Sequence, residues 1–340
     1  MPTHPVLFVT HRGLTHQNAA LQAAPPELSI TMLRSPEKAE LMEHMAGQEN
    51  LITERAGEND AEILSAARGV RLIQRLGSQT WDIDLEAARA AGIPVCYRPV
   101  HTCVMVAEHM LVQMLALAKR LREVMHITVE AGDWGQPPRR CDEDYFAYNW
   151  SGRSGVRGLY RSTVGIVGFG EIGAELARRL RNFGCRVLYN KRSRLPHPAE
   201  VEMDIEYAGL DELLAASDYV CMLLPFFPET EKLVNADFIG KMKPGAILAS
   251  AGASGVLDED AVAAAVKAGR LGGVATDTYA WEPVRADNPL LALAADPLCN
   301  LLLTPHTAAG TEHAGVSDRY GDYENLLRHI QGEPLLFRLV

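Results

Sequence analysis

Three glycines near the middle of the chain follow a fixed spacing. The run VGIVGFGEIG, residues 164–173, places them in a G-x-G-x-x-G pattern after a β-branched stretch and before a helical one. In that context the first glycine allows a tight bend, the second lets the backbone approach a pyrophosphate, and the third lets the helix pack on the strand. Because a helix N-terminus offers free N–H groups and a positive dipole end, the turn is predicted to bind a dinucleotide. The expected contacts are Gly168, Phe169, Gly170, Glu171, Ile172 and Gly173.

A basic segment follows about 20 residues after the glycine turn, where these folds usually carry an Asp or Glu for the ribose 2′-hydroxyl of NAD. The run here is NKRSR, residues 190–194, with three cations and a hydroxyl but no carboxylate. Such side chains suit a 2′-phosphate. We therefore predict NADP as the preferred cofactor and NAD as the alternative, with contacts from Asn190, Lys191, Arg192 and Ser193. A solvated basic loop is the other interpretation.

Two short motifs in the C-terminal half carry residues that could transfer protons. His306 lies in TPHTA, after an apolar run and before a turn of small residues, and Glu282 lies in WEP. A histidine at the carboxyl end of a strand lies at the rim of the crevice in which α/β sheets bind ligands. The alternatives are a satisfied core histidine and a solvated acid before a proline turn.

Alternating strands and helices position these motifs. Strands are predicted at 164–167, 186–189, 218–224, 245–249, 273–276 and 301–304. Helices are predicted at 172–183, ended by Gly184, and at 259–268, capped by Asp258. Strands separated by helices of this length form a parallel, doubly wound sheet.

The first hundred residues show a similar alternation. Strands are predicted at 6–10, 50–53, 71–76 and 93–96, and helices at 61–67 and 84–91. An apolar helix predicted over 104–122 must be buried nearly all round, and the segment 132–161 is expected to be a loop. The predicted fold class is α/β, with two Rossmann-like doubly wound domains.

Length and composition restrict the function classes. The 340 residues fit two domains at about 150 residues each, and 33 basic against 43 acidic residues give a net charge of −10. Such a chain is a poor candidate for binding nucleic acid. No apolar run approaches the ~18 residues of a membrane span, so no membrane partner is expected. Six scattered cysteines without a CxxC pair indicate reduced thiols in a cytoplasmic protein, with no metal site.

Several motifs together resemble the D-isomer-specific 2-hydroxyacid dehydrogenase family, which includes glyoxylate/hydroxypyruvate reductases. They are DIDLEAARAAGIPV (82–95), VAEH (106–109), VGIVGFGEIG (164–173), LPFFPET (224–230), MKPGAIL (242–248), DTYAWEP (277–283) and LTPHTAAGT (303–311). The resemblance implies a dinucleotide-binding domain, 105–307, inserted in a discontinuous substrate domain, 1–104 plus 308–340. It also implies an active site in the cleft, a small-molecule substrate and a homodimer built on the VAEH helix.

The resemblance also implies roles for individual residues. His306 matches the residue that gives a proton to the 2-oxo oxygen while a hydride arrives from nicotinamide C4, and Glu282 matches its carboxylate partner. A carboxylate beside an imidazole fixes its tautomer and stabilises the imidazolium. The resemblance extends the predicted cofactor contacts to Leu223, Leu224, Pro225, Ala251, Gly252 and Asp277.

Two positions depart from the family pattern. The run SAGASGVLD, residues 250–258, places Ala253 where the family carries an arginine that binds the substrate carboxylate and polarises the reacting carbonyl. An alanine can do neither. The family's G-x-G-x-D substrate loop reads GSQTW here, residues 77–81. The predicted substrate contacts are Gly77, Ser78, Gln79 and the position of Ala253, and a surface turn is the alternative for the loop.

Three hypotheses follow from these residues. The first is an oxidoreductase that transfers a hydride between NADP(H) or NAD(H) and a 2-oxo/2-hydroxy acid or a related compound. The second is a non-enzymatic dinucleotide-binding sensor or co-regulator, which the missing arginine supports. The third is an active dehydrogenase in which Ala253 is an engineered replacement of arginine. The His306–Glu282 pair favours an enzyme, since a pure binding protein would have no need of it.

Overall fold

The structure, a computed structural model, describes residues 3–54, 59–310 and 316–340. The chain divides into two compact units. One is Met1–Val104 with Gly310–Val340, and the other is Met105–Ala309. Each unit is built on a parallel β-sheet whose strands alternate with helices. This confirms the predicted α/β fold class.

The first unit contains a five-stranded sheet with the order β2-β1-β3-β4-β5. Its elements in chain order are β1 (His4–Thr10), α1 (Leu14–Ala23), β2 (Leu28–Arg34), α2 (Lys38–His44), β3 (Asn50–Glu54), α3 (Ala61–Ala66), β4 (Leu72–Leu76), α4 (Leu85–Ala90) and β5 (Val95–Arg98). Asp60 and Asp84 begin α3 and α4, because each carboxylate accepts N–H bonds from the first turn of its helix.

The sequence does not predict three elements in the first hundred residues, namely α1, β2 and α2. The strand β2 lies at the sheet edge, and Leu28 is its only buried residue. Helix α1 buries only two small side chains, Ala20 and Ala23. Because neither segment has a strong apolar periodicity, the pattern that identifies buried elements was absent there.

The helix predicted over 104–122 is in fact two helices. They are α5 (His101–Ala118) and α6 (Leu121–Glu130), and between them Arg120 adopts a left-handed backbone conformation with φ of 50°. The side chain of Arg122 donates to the carbonyl oxygens of Leu301 at 2.7 Å and Ala294 at 2.5 Å, which fixes the new direction of the chain. The segment 132–161 contains neither helix nor strand, as predicted.

Helix α5 bears on the question of membranes. By length and composition alone, this helix could cross a bilayer, although the sequence predicts no membrane span. Half of its residues are buried within the protein. Its buried side chains, including Met110, Met114 and Leu117, pack in the core of the second unit with strand residues such as Val164 and Ile166. That packing is typical of a helix that contributes to a protein core.

The second unit contains a seven-stranded parallel sheet with the order β12-β11-β10-β9-β6-β7-β8. Its elements after α6 are β6 (Thr163–Val167), α7 (Glu171–Arg181), β7 (Arg186–Asn190), α8 (His197–Met203), β8 (Glu206–Tyr207), α9 (Leu210–Ala216), β9 (Tyr219–Met222), α10 (Ala236–Lys241), β10 (Ile247–Ser250), α11 (Glu259–Lys267), β11 (Gly273–Thr276), α12 (Pro289–Ala294) and β12 (Leu301–Leu303). The chain runs outward from β6 to β8 and then returns to β9 on the other side of β6. The strand order therefore reverses beside β6, where doubly wound sheets bind their ligands.

The C-terminal segment completes the first unit. A 3-10 helix, Val316–Tyr323, leads into α13 (Glu324–Gln331). Tyr323 and Leu326 are buried in the core of the first unit, and the hydroxyl of Tyr323 donates to the carbonyl oxygen of Ala20 at 2.7 Å. The first unit is therefore discontinuous in sequence.

Candidate active site

The glycine turn at the end of β6 has the shape of a phosphate cradle. Gly168 has a φ of 91°, and a Cβ there would lie 2.7 Å from the main-chain nitrogen of Leu224. Gly170 begins α7 without a side-chain cap, and a Cβ at Gly170 would point into open space. A ligand could therefore approach the N-terminus of this eleven-residue helix. A pyrophosphate fits these residues.

Three neighbouring strand ends meet at this turn. The N–H of Leu223 donates to Val167 O at 2.9 Å, and the N–H of Ala251 donates to Met222 O at 3.3 Å. A Cβ at Gly252 would lie 2.9 Å from Leu224 O. The structure thus brings the predicted cofactor residues of β6, β9 and β10 to one sheet edge. Phe169 is buried against Tyr189, so its main chain rather than its ring could reach a ligand.

The three cations that follow β7 differ in their surroundings. Arg194 forms two 2.8 Å bonds with Glu200, and this contact is the main reason why the pKa of Glu200 falls to about 2. Burial lowers the pKa of Lys191, against the opposing influence of the Glu171 carboxylate. Arg192 is exposed, with its guanidinium 5.8 Å from the centre of the Phe227 ring, and within the described part of the chain it forms no ion pair. Whether one of these cations binds a phosphate stays a prediction.

His306 and Glu282 meet directly in the second unit. Nδ1 of His306 lies 2.6 Å from Oε2 of Glu282. Oε1 of Glu282 accepts the N–H of Tyr279 at 3.0 Å and the hydroxyl of Ser254 at 3.1 Å. Burial alone would raise the pKa of Glu282, but these hydrogen bonds, led by that of His306, hold it below its ordinary value. An ionised carboxylate only accepts, so Nδ1 carries a proton and Nε2 is the nitrogen available for proton transfer.

Asp277 fixes the loop that carries His306. Its buried carboxylate accepts the hydroxyl of Thr304 at 2.6 Å and the N–H groups of Thr307 at 3.0 Å and Ala308 at 2.8 Å. Its carbonyl oxygen accepts the N–H of His306 at 2.9 Å. His306 has a φ of 54°, and these bonds stabilise that strained conformation. Contact between Asp277 and a cofactor stays a prediction.

Ala253 lies on the loop after β10, one residue before Ser254. Its N–H donates to Leu224 O at 2.9 Å, and its methyl group packs at the edge of an apolar cluster with residues such as Val256. The main-chain bond fixes the loop without help from the side chain. A longer side chain at this position would have to leave the cluster.

The predicted substrate loop of the first unit is folded inward. Gly77 has a φ of 120° and donates its N–H to Arg98 O at 2.7 Å. Ser78 and Gln79 are buried. Below the loop, Nε of Arg75 lies 3.1 and 3.0 Å from the two carboxylate oxygens of Asp82. The burial argues against a simple surface turn, and the substrate contacts remain a prediction.

Three residues of the acid–base site were missed in the sequence, namely Ser254, Tyr279 and Thr304. Tyr279 acts through its main chain, which no sequence pattern reveals. Ser254 and Thr304 lie within the runs 250–258 and 303–311, and the hydroxyl next to Ala253 was the one available signal.

Comparison with known proteins identifies the family. Residues 111–308 match the D-isomer specific 2-hydroxyacid dehydrogenase, NAD binding domain. Glyoxylate reductase of Thermococcus kodakarensis is 33% identical over 301 residues, which cover 85% of each chain. D-3-phosphoglycerate dehydrogenase of Mycobacterium leprae is 30% identical over 319 residues, which cover 93% of this chain and 55% of that protein, so the chain spans about half the length of this relative.

A solved structure agrees with these matches. The pyruvate reductase of Chlamydomonas reinhardtii is 26% identical and superposes with a TM-score of 0.53, over 98% of each chain. The fold, the glycine turn and the sequence matches therefore lead to one conclusion. This chain belongs to the D-isomer-specific 2-hydroxyacid dehydrogenase family.

Proposed function

We propose that the chain is an oxidoreductase that interconverts a 2-oxo acid, or a related carbonyl compound, and its 2-hydroxy form, with NADP(H) preferred over NAD(H). The observation that carries the proposal is the 2.6 Å hydrogen bond between His306 and Glu282. A bound nicotinamide would supply or accept the hydride. Glu282 holds the imidazole in one tautomer, and Nε2 of His306 gives a proton to the carbonyl oxygen in reduction and takes it back in oxidation.

The position of Ala253 limits this activity. Without a cation there, the substrate anion lacks the bidentate partner that the family resemblance implies. We propose that Gly77, Ser78 and Gln79 in the substrate domain, 1–104 plus 308–340, contribute to substrate binding. The dinucleotide-binding domain is 105–307. A compound whose anion is held differently from that of a simple 2-oxo acid fits this arrangement.

Measurement of NAD(P)H oxidation with a panel of 2-oxo acids tests the proposal. Turnover that disappears in His306→Gln supports an enzyme. Tight NADPH binding with no turnover of any panel member, in this chain and in Ala253→Arg, would favour the alternative of a dinucleotide-binding sensor. The same panel separates the two because the glycine turn serves both functions, whereas the acid–base pair serves only the first.

We expect NADPH to bind more tightly than NADH by roughly tenfold to a hundredfold, since a charge-assisted contact to the 2′-phosphate contributes about that much. Arg192→Ala should remove most of the preference and leave the NADH dissociation constant unchanged, because Arg192 is exposed and forms no ion pair with any residue that the structure describes. Arg194→Ala is the matched control, since Glu200 already binds that guanidinium. Fluorescence titration of both cofactors provides the constants. Equal or tighter NADH binding by the parent chain would contradict the expected preference.

We expect the chain to form a homodimer through α5, α6 and the loop 132–161. Apolar side chains on these segments are exposed, and the largest exposed fractions are those of Val129 at 80%, Phe146 at 74% and Tyr148 at 86%. Such a surface is uncommon on a monomer. Light scattering at micromolar concentration should show a particle of twice 37.2 kDa. A particle of the single-chain mass would refute the dimer.

We place the protein in the cytoplasm, without nucleic-acid or membrane partners. All six cysteines are free thiols, a state typical of a reducing compartment. The net charge of −10 disfavours binding to phosphates of nucleic acid or to anionic lipid.

A further inference from the structure

The serine next to Ala253 contacts the acid–base pair. The hydroxyl of Ser254 lies 3.1 Å from Oε1 of Glu282, the oxygen that does not face His306. The N–H of Tyr279 reaches the same oxygen at 3.0 Å. Because the carboxylate only accepts, the serine hydroxyl is the donor.

We propose that Ser254 is a positioning residue, whose hydroxyl holds Oε1 of Glu282 so that Oε2 faces Nδ1 of His306. This inference rests on the proposed function, in which His306 transfers the proton. The terminal torsion of a glutamate is broad, so a carboxylate held through only one of its oxygens can rotate among several orientations. Two donors on Oε1 and one on Oε2 select a single orientation.

The loop that carries Ser254 does not need the hydroxyl for its own fold. The N–H of Ala253 donates to Leu224 O at 2.9 Å, and Gly255 O accepts the N–H of Lys232 at 2.8 Å. Both are main-chain bonds on either side of Ser254. Removal of the hydroxyl should therefore change Glu282 rather than the loop.

The other charged groups around Glu282 increase its need for donors. Glu259 lies close by, since it accepts the N–H of Ala280 at 3.0 Å. Burial and the carboxylates of Asp277, Glu259 and Glu282 raise the pKa of Tyr279 to about 12, so its side chain is neutral. Arg285 is paired with Asp287. Among the described residues, the hydrogen bond of His306 lowers the pKa of Glu282 most, and Ser254 adds a neutral donor.

Ser254→Ala tests the proposal in the full-length chain. We expect kcat for a 2-oxo acid to fall roughly threefold to tenfold, with little change in KM, since one hydrogen bond to a charged group is lost. The acidic limb of the kcat profile should move to higher pH by roughly half to one unit, because Glu282 loses a donor to its ionised form. Ser254→Thr, which keeps the hydroxyl, should retain most of the parent kcat and most of the parent pH profile.

A second measurement distinguishes this inference from the proposed function, because it needs no turnover. Proton NMR should show the His306 Nδ1–H resonance far downfield, assigned by its loss in His306→Gln. We expect this resonance to shift or broaden in Ser254→Ala and to persist in Ser254→Thr. A response of the resonance in a chain that reduces no 2-oxo acid would leave the positioning role standing and refute the proposed activity.

Two results would overturn the inference. One is an unchanged Nδ1–H resonance together with an unchanged acidic limb in Ser254→Ala. The other is an equal loss of kcat from Ser254→Ala in the parent and in a Glu282→Gln background, since a residue that acts through Glu282 must lose its effect there.

Discussion

Replacing Ala253 by arginine is expected to raise kcat/KM for small 2-oxo acids by ~10²-fold or more, as removal of one preorganised donor to developing charge costs about that much. The new guanidinium would bind the substrate carboxylate in a bidentate manner and polarise the carbonyl that His306 protonates. Steady-state rates with glyoxylate and larger 2-oxo acids, measured at constant NADPH, test this expectation.

The expected gain in kcat/KM depends on the positive charge of the arginine. The affinity for the cofactor should not change with it. The main-chain bond from Ala253 to Leu224 O does not depend on the side chain, so the loop should keep its place. NADPH affinity should therefore stay within a few-fold, because the substitution leaves the main chain at the neighbouring predicted contacts Gly252 and Leu224 in place. Ala253→Gln supplies length and hydrogen bonds without charge and is the matched control. Unchanged rates in Ala253→Arg would show that the arginine position was misplaced, and loss of an existing activity would show that Ala253 makes room for a bulkier substrate.

The glycine turn was predictable because its chemistry is dictated by the backbone. Gly168 must adopt a positive φ beside the main chain of Leu224, and Gly170 must leave space in front of the helix N-terminus. Glycine satisfies both conditions, so the spacing, together with its place after a strand and before a helix, predicted the turn. Strands β6 and β9 were predictable because both are almost entirely buried and are mostly apolar.

Other features depend on contacts between distant residues, which periodicity does not encode. The break at Arg120 lies in a continuous helical pattern, and bonds from Arg122 to the far-away Leu301 and Ala294 stabilise the new helix direction. The basic run after β7 contains three cations whose types do not distinguish them, but Glu200 on the following helix binds Arg194, whereas Arg192 forms no ion pair with any described residue. In both cases a tertiary partner decides the role of a residue whose type alone is ambiguous.

The site around His306 combines both situations. Its type and its place after a strand indicated proton transfer, and the family resemblance supplied Glu282. The hydrogen bonds from the loop of His306 to Asp277, and from Ser254 to the carboxylate of Glu282, are seen only in the structure. The side chain of His306 is 55% exposed, so these hydrogen bonds, more than packing, hold its place.

Substitution of His306 by glutamine is expected to lower kcat by roughly 10²- to 10⁴-fold, which is the usual contribution of a general acid–base group. The amide can form a hydrogen bond to Glu282 but cannot deliver a proton to the carbonyl oxygen.

The pH profile of the parent chain gives a second expectation. Because the pKa of Glu282 is held below its ordinary value, Glu282 stays ionised through the usual carboxyl range, and activity should fall only as the pH drops through that lowered pKa.

Glu282→Gln separates the two members of the pair. It keeps a side chain of the same size but removes the charge, so kcat should fall less than in His306→Gln. The kcat of the double variant should be no lower than that of His306→Gln alone, because the two residues act as a unit. NADPH binding and thermal unfolding serve as controls for folding and should change little, since both side chains are partly exposed and distant from the glycine turn in sequence. Additive losses of kcat would show that the two residues act independently. A His306→Gln variant that retains the parent rate would show that the proton comes from another group.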